Sequence, residues 1–327
     1  MSKVRVCFLG TPGFAATCLE AVLEDPHYQV VGVVTQPGRP AGRQLQLTPS
    51  PVKSLAQSAG VPVISPESVN KSPAIEEIQS WGAEIAIVVA FGQILATSFF
   101  DLFSFGAVNV HASVLPRWRG AAPMQRGIEA GDTEGGVTLQ KMVRALDAGD
   151  ILGIRRLTIP PDMDARALHD QLAPLGAELL HVELMDYLRG NLAGTPQDPS
   201  QVTYAKKIEK SEAQLHWNDP ALLLHNRVRA FVMGPGTWVP WGAKKLKIHR
   251  TGLSGVGSSG VGSSGAGLTG AQAPGTVLRA DKDGIWVATG DGVLQILELQ
   301  PESRSRVSAA DFLKAQPLKP GVLFGSS

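Results

Sequence analysis

The run from Val4 to Leu9 is apolar without alternation, the pattern of a parallel strand covered on both faces. It feeds Gly10-Thr11-Pro12-Gly13-Phe14-Ala15, and a helical pattern follows to about Glu24. A buried strand, a glycine turn and a helix in succession predict a doubly wound α/β sheet, whose ligands sit beyond the carboxyl ends of the strands. The turn lacks the spacing of a dinucleotide fingerprint, so no NAD site is assigned.

The alternation continues. Strands are predicted over 30–35, 61–64, 84–90, 107–111, 136–142 and 151–159, with helices over 52–59, 74–80 and 164–188. The last helix carries an apolar stripe at Leu168, Leu172, Leu175, Leu179, Val182 and Met185, while His169, His181 and Glu183 are expected at the surface. Around Tyr204 to Ile208 the pattern changes to one helix over 219–230 and short strands over 237–240, 244–249, 275–278, 284–288 and 292–299. Several short strands with one helix predict a small barrel. The chain of 327 residues thus divides into expected domains 1–206 and 207–327, each long enough for its own core. Residues 251–274 form a charge-free Gly/Ser-rich tract in which Gly-Val-Gly-Ser-Ser repeats at 255–259 and 260–264. It is expected to be an expanded barrel loop inserted between two strands.

No run of about 18 apolar residues occurs. The first strand begins so early that no cleaved leader is expected ahead of it. A cytoplasmic monomer away from membranes is the expectation. Cys7 and Cys18 have no metal-type spacing and read as small core residues. Charge is uneven: residues 1–206 hold 16 Lys+Arg against 20 Asp+Glu, and residues 207–327 hold 14 against 9. A basic second domain suits a polyanion.

The polar chemistry concentrates between Gly106 and Arg126. Asn109 and His111, two apart on a short strand, share one face of the pleat. Leu115-Pro116 then breaks the regularity, Arg117 and Arg119 flank Trp118, and Gly120 to Pro123 reads as a helix start. Alone, an Asn-x-His pair is more often an ordinary strand end with a satisfied histidine than a site. Downstream, however, Leu146-Asp147-Ala148-Gly149-Asp150-Ile151-Leu152 sets an aspartate at a glycine turn between two strands. Together these resemble the formyltransferase signature, and Ser113-Val114-Leu115-Pro116-Arg117-Trp118-Arg119-Gly120 is similar to the Ser-Leu-Leu-Pro-Arg-Trp-Arg-Gly string of the methionyl-tRNA formyltransferases. The resemblance extends to Gly10-Thr11-Pro12-Gly13-Phe14, to Arg39-Pro40-Ala41-Gly42-Arg43 with Ser50-Pro51-Val52-Lys53, and to Phe91-Gly92-Gln93-Ile94-Leu95.

That resemblance implies a Rossmann-like formyltransferase domain followed by an OB-type barrel. It implies 10-formyltetrahydrofolate as the formyl donor, methionyl-initiator tRNA as the acceptor, and no metal. The implied catalytic residues are Asn109, His111 and Asp147. Folate contacts are implied for Phe91, Gly92, Gln93, Ile94, Leu95, Ser113, Leu115 and Pro116. Acceptor and tRNA contacts are implied for Gly10, Thr11, Pro12, Phe14, Arg39, Arg43, Lys53, Arg117, Arg119, Lys206 and Lys207. In such chemistry an amide donor meets charge developing on the formyl oxygen, an imidazole moves a proton, and a carboxylate orients the imidazole. Two other readings stand beside it. A folate-dependent formyltransferase or formyl hydrolase acting on a small molecule would not need the arginine loop or a basic barrel. A non-catalytic RNA-binding protein would have no use for the triplet.

Overall fold

β1 (Val4–Gly10) runs through the core: Val6, Cys7, Phe8 and Leu9 are wholly buried, as their unalternating apolar pattern requires. The structure is a computed structural model, and it describes residues 3–41, 46–253 and 272–325. Most of the Gly/Ser-rich tract, together with Arg43 and the side chain of Arg39, lies outside the described residues.

After β1 come α1 (Gly13–Glu24), β2 (Tyr28–Val34), the paired β3 (Arg39–Ala41) and β4 (Gln46–Thr48), and α2 (Pro51–Ser58). Ser50 caps α2 by accepting the N–H of Lys53 at 3.0 Å, and Pro51 occupies the first helical position, where a missing N–H costs nothing. The alternation goes on through β5 (Val63–Ile64), α3 (Ser72–Ser80), β6 (Ile85–Val89), α4 (Thr97–Phe100) and β7 (Ala107–His111). Then follow β8 (Arg119–Gly120), α5 (Pro123–Ala130), β9 (Glu134–Lys141), β10 (Ile151–Thr158), α6 (Ala165–Leu188) and β11 (Tyr204–Ala205). The main sheet has the order β10-β9-β7-β6-β1-β2-β5. Strands β7, β6, β1, β2 and β5 are parallel, while β9 runs antiparallel to β7 and β10 antiparallel to β9. All five parallel strands therefore present their carboxyl ends at one edge.

The long helix departs from its sequence reading in one respect. Leu168, Leu172 and Leu179 are buried as expected, but Val182 is 47% exposed, and Leu180 and Leu184 are buried in its place. At 3.6 residues per turn, a stripe continued by fours from Leu172 passes through 176, 180 and 184. Two residues expected at the surface are only partly exposed. His169 packs edge-on against Phe14 with ring centroids 5.8 Å apart, and Glu183 takes an N–H of Arg155 at 2.8 Å.

The chain divides into two units: Met1–Pro123 with Glu134–Thr158 and Leu168–Ala205, and Met124–Thr133 with Ile159–Ala167 and Lys206–Ser327. Two segments that the sequence reading assigned to the first domain thus group with the second. Partly buried polar contacts hold them there. Arg126 spans Glu129 and Glu212, Arg227 pairs with Glu129, and Arg229 donates to the carbonyls of Met163 and Ile128. In this second unit, α7 (Ala221–Ala230) precedes β12 (Thr237–Trp241), β13 (Lys244–Leu253), β14 (Val277–Asp281), β15 (Gly284–Ala288), β16 (Val293–Pro301), β17 (Val307–Ser308) and α8 (Ala309–Ala315). The strands form an antiparallel sheet in the order β12-β13-β16-β15-β14, with β17 on β16, around a core that includes Leu224, Val239, Ile248, Val287, Ile296 and Phe312. This is the OB-type barrel, partly open: no ladder joins β12 to β14 among the described residues.

Candidate active site

The strand register brings the triplet together. In β7, Asn109 pairs with Gln140 of β9, and His111 pairs with Thr138. Cross-strand partners point to the same side of a sheet, so the amides of Asn109 and Gln140 share a face with the His111 imidazole. On the other side of β7, Val88 of β6 lies beside Asn109, which brings Ala90 to the level of His111 at the carboxyl edge.

Asp147 arrives on the turn between β9 and β10. Its Oδ1 accepts from Gln140 Nε2 at 3.1 Å and Asn109 Nδ2 at 3.5 Å, and its Oδ2 accepts from the Gly120 N–H at 2.8 Å. The same Oδ2 stands 3.7 Å from Nδ1 of His111. Nε2 of His111 lies 2.9 Å from the Trp118 carbonyl, which can only accept, so Nε2 carries a hydrogen. Nδ1 is then the nitrogen that faces the carboxylate. His111 is buried, and so is Asn109.

Holding this geometry costs backbone strain. Ala90, Trp118 and Asp147 all have positive φ, at 44°, 64° and 47°, conformations that an L side chain rarely adopts and that gather at functional sites. Two glycines make close approaches that a side chain would block. A Cβ on Gly149 would lie 1.9 Å from the Lys141 carbonyl oxygen, and one on Gly120, at φ +119°, would lie 2.8 Å from that of Ala205.

Beside the triplet a cleft of about 410 Å³ opens beyond β1, β2 and β6, lined by Thr11, Pro12, Gln36, Ser50, Phe91 and Gly92 among others. The Thr11 hydroxyl donates to the Phe91 carbonyl at 3.1 Å and accepts the Gln36 N–H at 3.3 Å, so it ties three strand ends together. Phe91 itself is buried. Gln93 is anchored at both ends of its amide, accepting from the Val69 N–H and donating to the Pro66 carbonyl, while Ile94 stands 89% exposed and Leu95 packs against the core. Ser113 Oγ donates to the Arg117 carbonyl at 2.7 Å, Leu115 is buried, and the Leu115–Pro116 peptide is cis. Arg117 stacks its guanidinium over the Trp118 ring at 4.3 Å. Gly10 is buried at the end of β1, and Phe14 is buried against His169. Lys53 lies in the first turn of α2, half-buried. Lys206 and Lys207 are exposed on the second unit. Arg119 donates Nε and Nη2 to Oε1 of Gln197 at 3.0 and 2.8 Å.

Three residues at the site escaped the sequence reading: Gln36, Gln140 and Gln197. The signal for Gln140 was present in Val137-Thr138-Leu139-Gln140, where polar residues alternate with apolar ones in a strand that is buried on both faces. Among the described residues no group of three or more His, Cys, Asp or Glu side chains could hold a metal ion, and no helix is long and apolar enough to cross a membrane.

An amide donor, an imidazole and a carboxylate thus converge at the carboxyl edge of a doubly wound sheet. Residues 3–184 match the family model described as formyl transferase, and residues 207–317 match that of the formyl transferase C-terminal domain. The chain is 62% identical over 326 residues to the methionyl-tRNA formyltransferase of Bdellovibrio bacteriovorus, covering 99% of this chain and 100% of that one. It is 43% identical over 321 residues to that of Myxococcus xanthus, covering 98% of each. In fold it is similar to an N-formyltransferase from Helicobacter canadensis solved with folinic acid and dTDP-3-aminofucose, with a TM-score of 0.63, 18% identity, and coverage of 91% of this chain and 99% of that one. The chain belongs to the methionyl-tRNA formyltransferase family, whose members are transferases.

Proposed function

We propose that the protein transfers the formyl group of 10-formyltetrahydrofolate to the amino group of methionyl-initiator tRNA, in the cytoplasm and as a monomer. The observation that carries this reading is the convergence of Asn109, His111 and Asp147 in a chain similar over its whole length to methionyl-tRNA formyltransferases. The folate donor supplies an activated formyl group. The acceptor amine attacks as its free base, and because α-amino groups titrate near pH ~8, about a tenth of it is in that form at pH 7.

What remains for the protein is to stabilise charge and move a proton. One N–H of the Asn109 amide is directed at Asp147, and the second is left to meet the formyl oxygen as charge builds on it. Loss of such a donor costs roughly 3–4 kcal/mol in other acyl-transfer sites. Nδ1 of His111, with Nε2 tied to the Trp118 carbonyl, takes the proton the amine loses as the new C–N bond forms and returns it to the folate nitrogen as the bond from that nitrogen to the formyl carbon breaks. The Asp147 carboxylate orients the imidazole while transfer proceeds.

The cleft beyond β1, β2 and β6 suits a ligand that is largely apolar with a few fixed polar contacts, and its lining takes in Thr11 and Pro12 as well as Phe91 and Gly92. Folate contacts are assigned to the Phe91–Leu95 segment and to Ser113, Leu115 and Pro116. Gly10, Thr11, Pro12 and Phe14 are assigned to the acceptor end, and Arg39, Arg43, Lys53, Arg117, Lys206 and Lys207 to phosphates of the tRNA. The small-molecule and RNA-binding alternatives are disfavoured by full-length similarity to relatives named for methionyl-tRNA. The test is to mix the protein with 10-formyltetrahydrofolate and charged initiator tRNA, then analyse the released amino acid. Formylmethionine is the expected product. Equal formylation of free methionine would overturn the tRNA assignment.

A further inference from the structure

Asp147 is held at two places, and only one of them is its carboxylate. Its backbone is gripped by Gln197, fifty residues downstream in an irregular segment after α6: Nε2 of Gln197 donates to the carbonyls of Asp147 and Gly149, both at 2.8 Å. The carbonyl oxygen of that amide accepts from Nε and Nη2 of Arg119 at 3.0 and 2.8 Å. Both hydrogens and the oxygen of Gln197 are thereby engaged. The segment is fixed in register by a two-bond bridge between Thr195 and Ile151, at 2.9 and 2.8 Å. Arg119 also precedes Gly120, whose N–H meets the Asp147 carboxylate. One strand thus secures the aspartate twice, directly through Gly120 and through Gln197 by way of Arg119.

A turn with a non-glycine residue at φ +47° persists only where its surroundings over-determine it. We propose that Gln197 and Arg119 are positioning residues, which hold the Asp147 turn so that its carboxylate stands against His111 and Asn109. On this inference Arg119 acts on the proton-handling group and not on a tRNA phosphate. It rests on the reading that formyl transfer occurs at Asn109, His111 and Asp147.

The experiment compares kcat and KM for both substrates, and the melting temperature, in the wild type, Gln197→Leu, Gln197→Glu, Arg119→Lys and Asp147→Asn. Gln197→Glu keeps an acceptor for Arg119 but has no N–H for the turn, so it reports on positioning even where Gln197→Leu folds poorly. Gln197→Leu and Gln197→Glu are each expected to lower kcat on the order of 100-fold, the scale of a small misplacement of a reacting group, with KM for tRNA and folate nearly unchanged. In an Asp147→Asn background the Gln197→Leu change is expected to add less than about twofold, because residues that act as a unit are not additive. Arg119→Lys, which keeps the charge and loses the fork, is expected to lower kcat without altering the salt dependence of tRNA binding.

Unchanged kcat in both Gln197 variants, or a full multiplicative loss in the Asp147→Asn background, would overturn the proposal. So would an Arg119→Lys effect confined to tRNA KM. An inactive wild type, or a fully active Asp147→Asn, would instead overturn the underlying reading of the site.

Discussion

Replacing Asp147 with asparagine changes a single atom, and the structure sets out what that atom does. The carboxylate accepts three N–H groups: Gly120 N at 2.8 Å on Oδ2, and Gln140 Nε2 at 3.1 Å and Asn109 Nδ2 at 3.5 Å on Oδ1. An asparagine offers one oxygen, so if that oxygen stays with Gly120, its NH₂ is turned on the two amide donors. At least one donor in a nearly buried site then lacks a partner, at a cost of about 1–3 kcal/mol. For a unit of this size each kcal/mol corresponds to roughly 2–4 °C in melting temperature. The effect on chemistry is larger. Without the negative charge beside Nδ1 of His111, proton movement loses its partner, and turnover is expected to fall by about 10²- to 10⁴-fold while tRNA affinity is retained. A thermal melt with steady-state formylation kinetics reads both quantities. Near-normal turnover would remove the carboxylate from the chemistry, and an unchanged melting temperature would refute the donor count.

Two further outcomes are expected. tRNA affinity should fall steeply with added salt, folate affinity should change less, and each of Lys206→Ala and Lys207→Ala should reduce the salt slope by about one; unaltered slopes in binding titrations would exclude these lysines as phosphate contacts. Asp25 is buried, which by itself would raise its pKa, but the His27 N–H and the side chains of His181 and His27 more than offset this and leave it below its ordinary value of 3.8. Such a depressed group stabilises the fold above its unfolded pKa, and that contribution is lost as pH falls through the lower folded value. Melting curves recorded down to about pH 3 should therefore decline less for Asp25→Asn than for the wild type, and parallel curves would refute the linkage.

How much of this was legible in the sequence differs from residue to residue. Asn109 and His111 share a face because a strand has a period of two, and that is readable from spacing alone. Asp147 could be linked to them only through resemblance to a family, since nothing local says where a turn 36 residues beyond His111 will fold back. Gln140 depends on the β7–β9 register, a long-range fact, and Gln197 lies in a segment with no periodicity to read. The same limit explains His169 and Glu183, whose partial cover comes from Phe14 and Arg155 on other elements. The drift from Val182 to Leu184 is a different failure, because choosing between steps of three and four needs the helix seated against its sheet.

The central claim is that formyl transfer takes place at the face shared by Asn109, His111 and Asp147. It is tested most directly by a single-turnover measurement, with enzyme in excess over methionyl-initiator tRNA at saturating 10-formyltetrahydrofolate, comparing the wild type with His111→Ala. The expected result is a transfer step slowed by about 10²-fold or more, with binding of both substrates intact. A His111→Ala enzyme that formylates at the wild-type rate would contradict the claim.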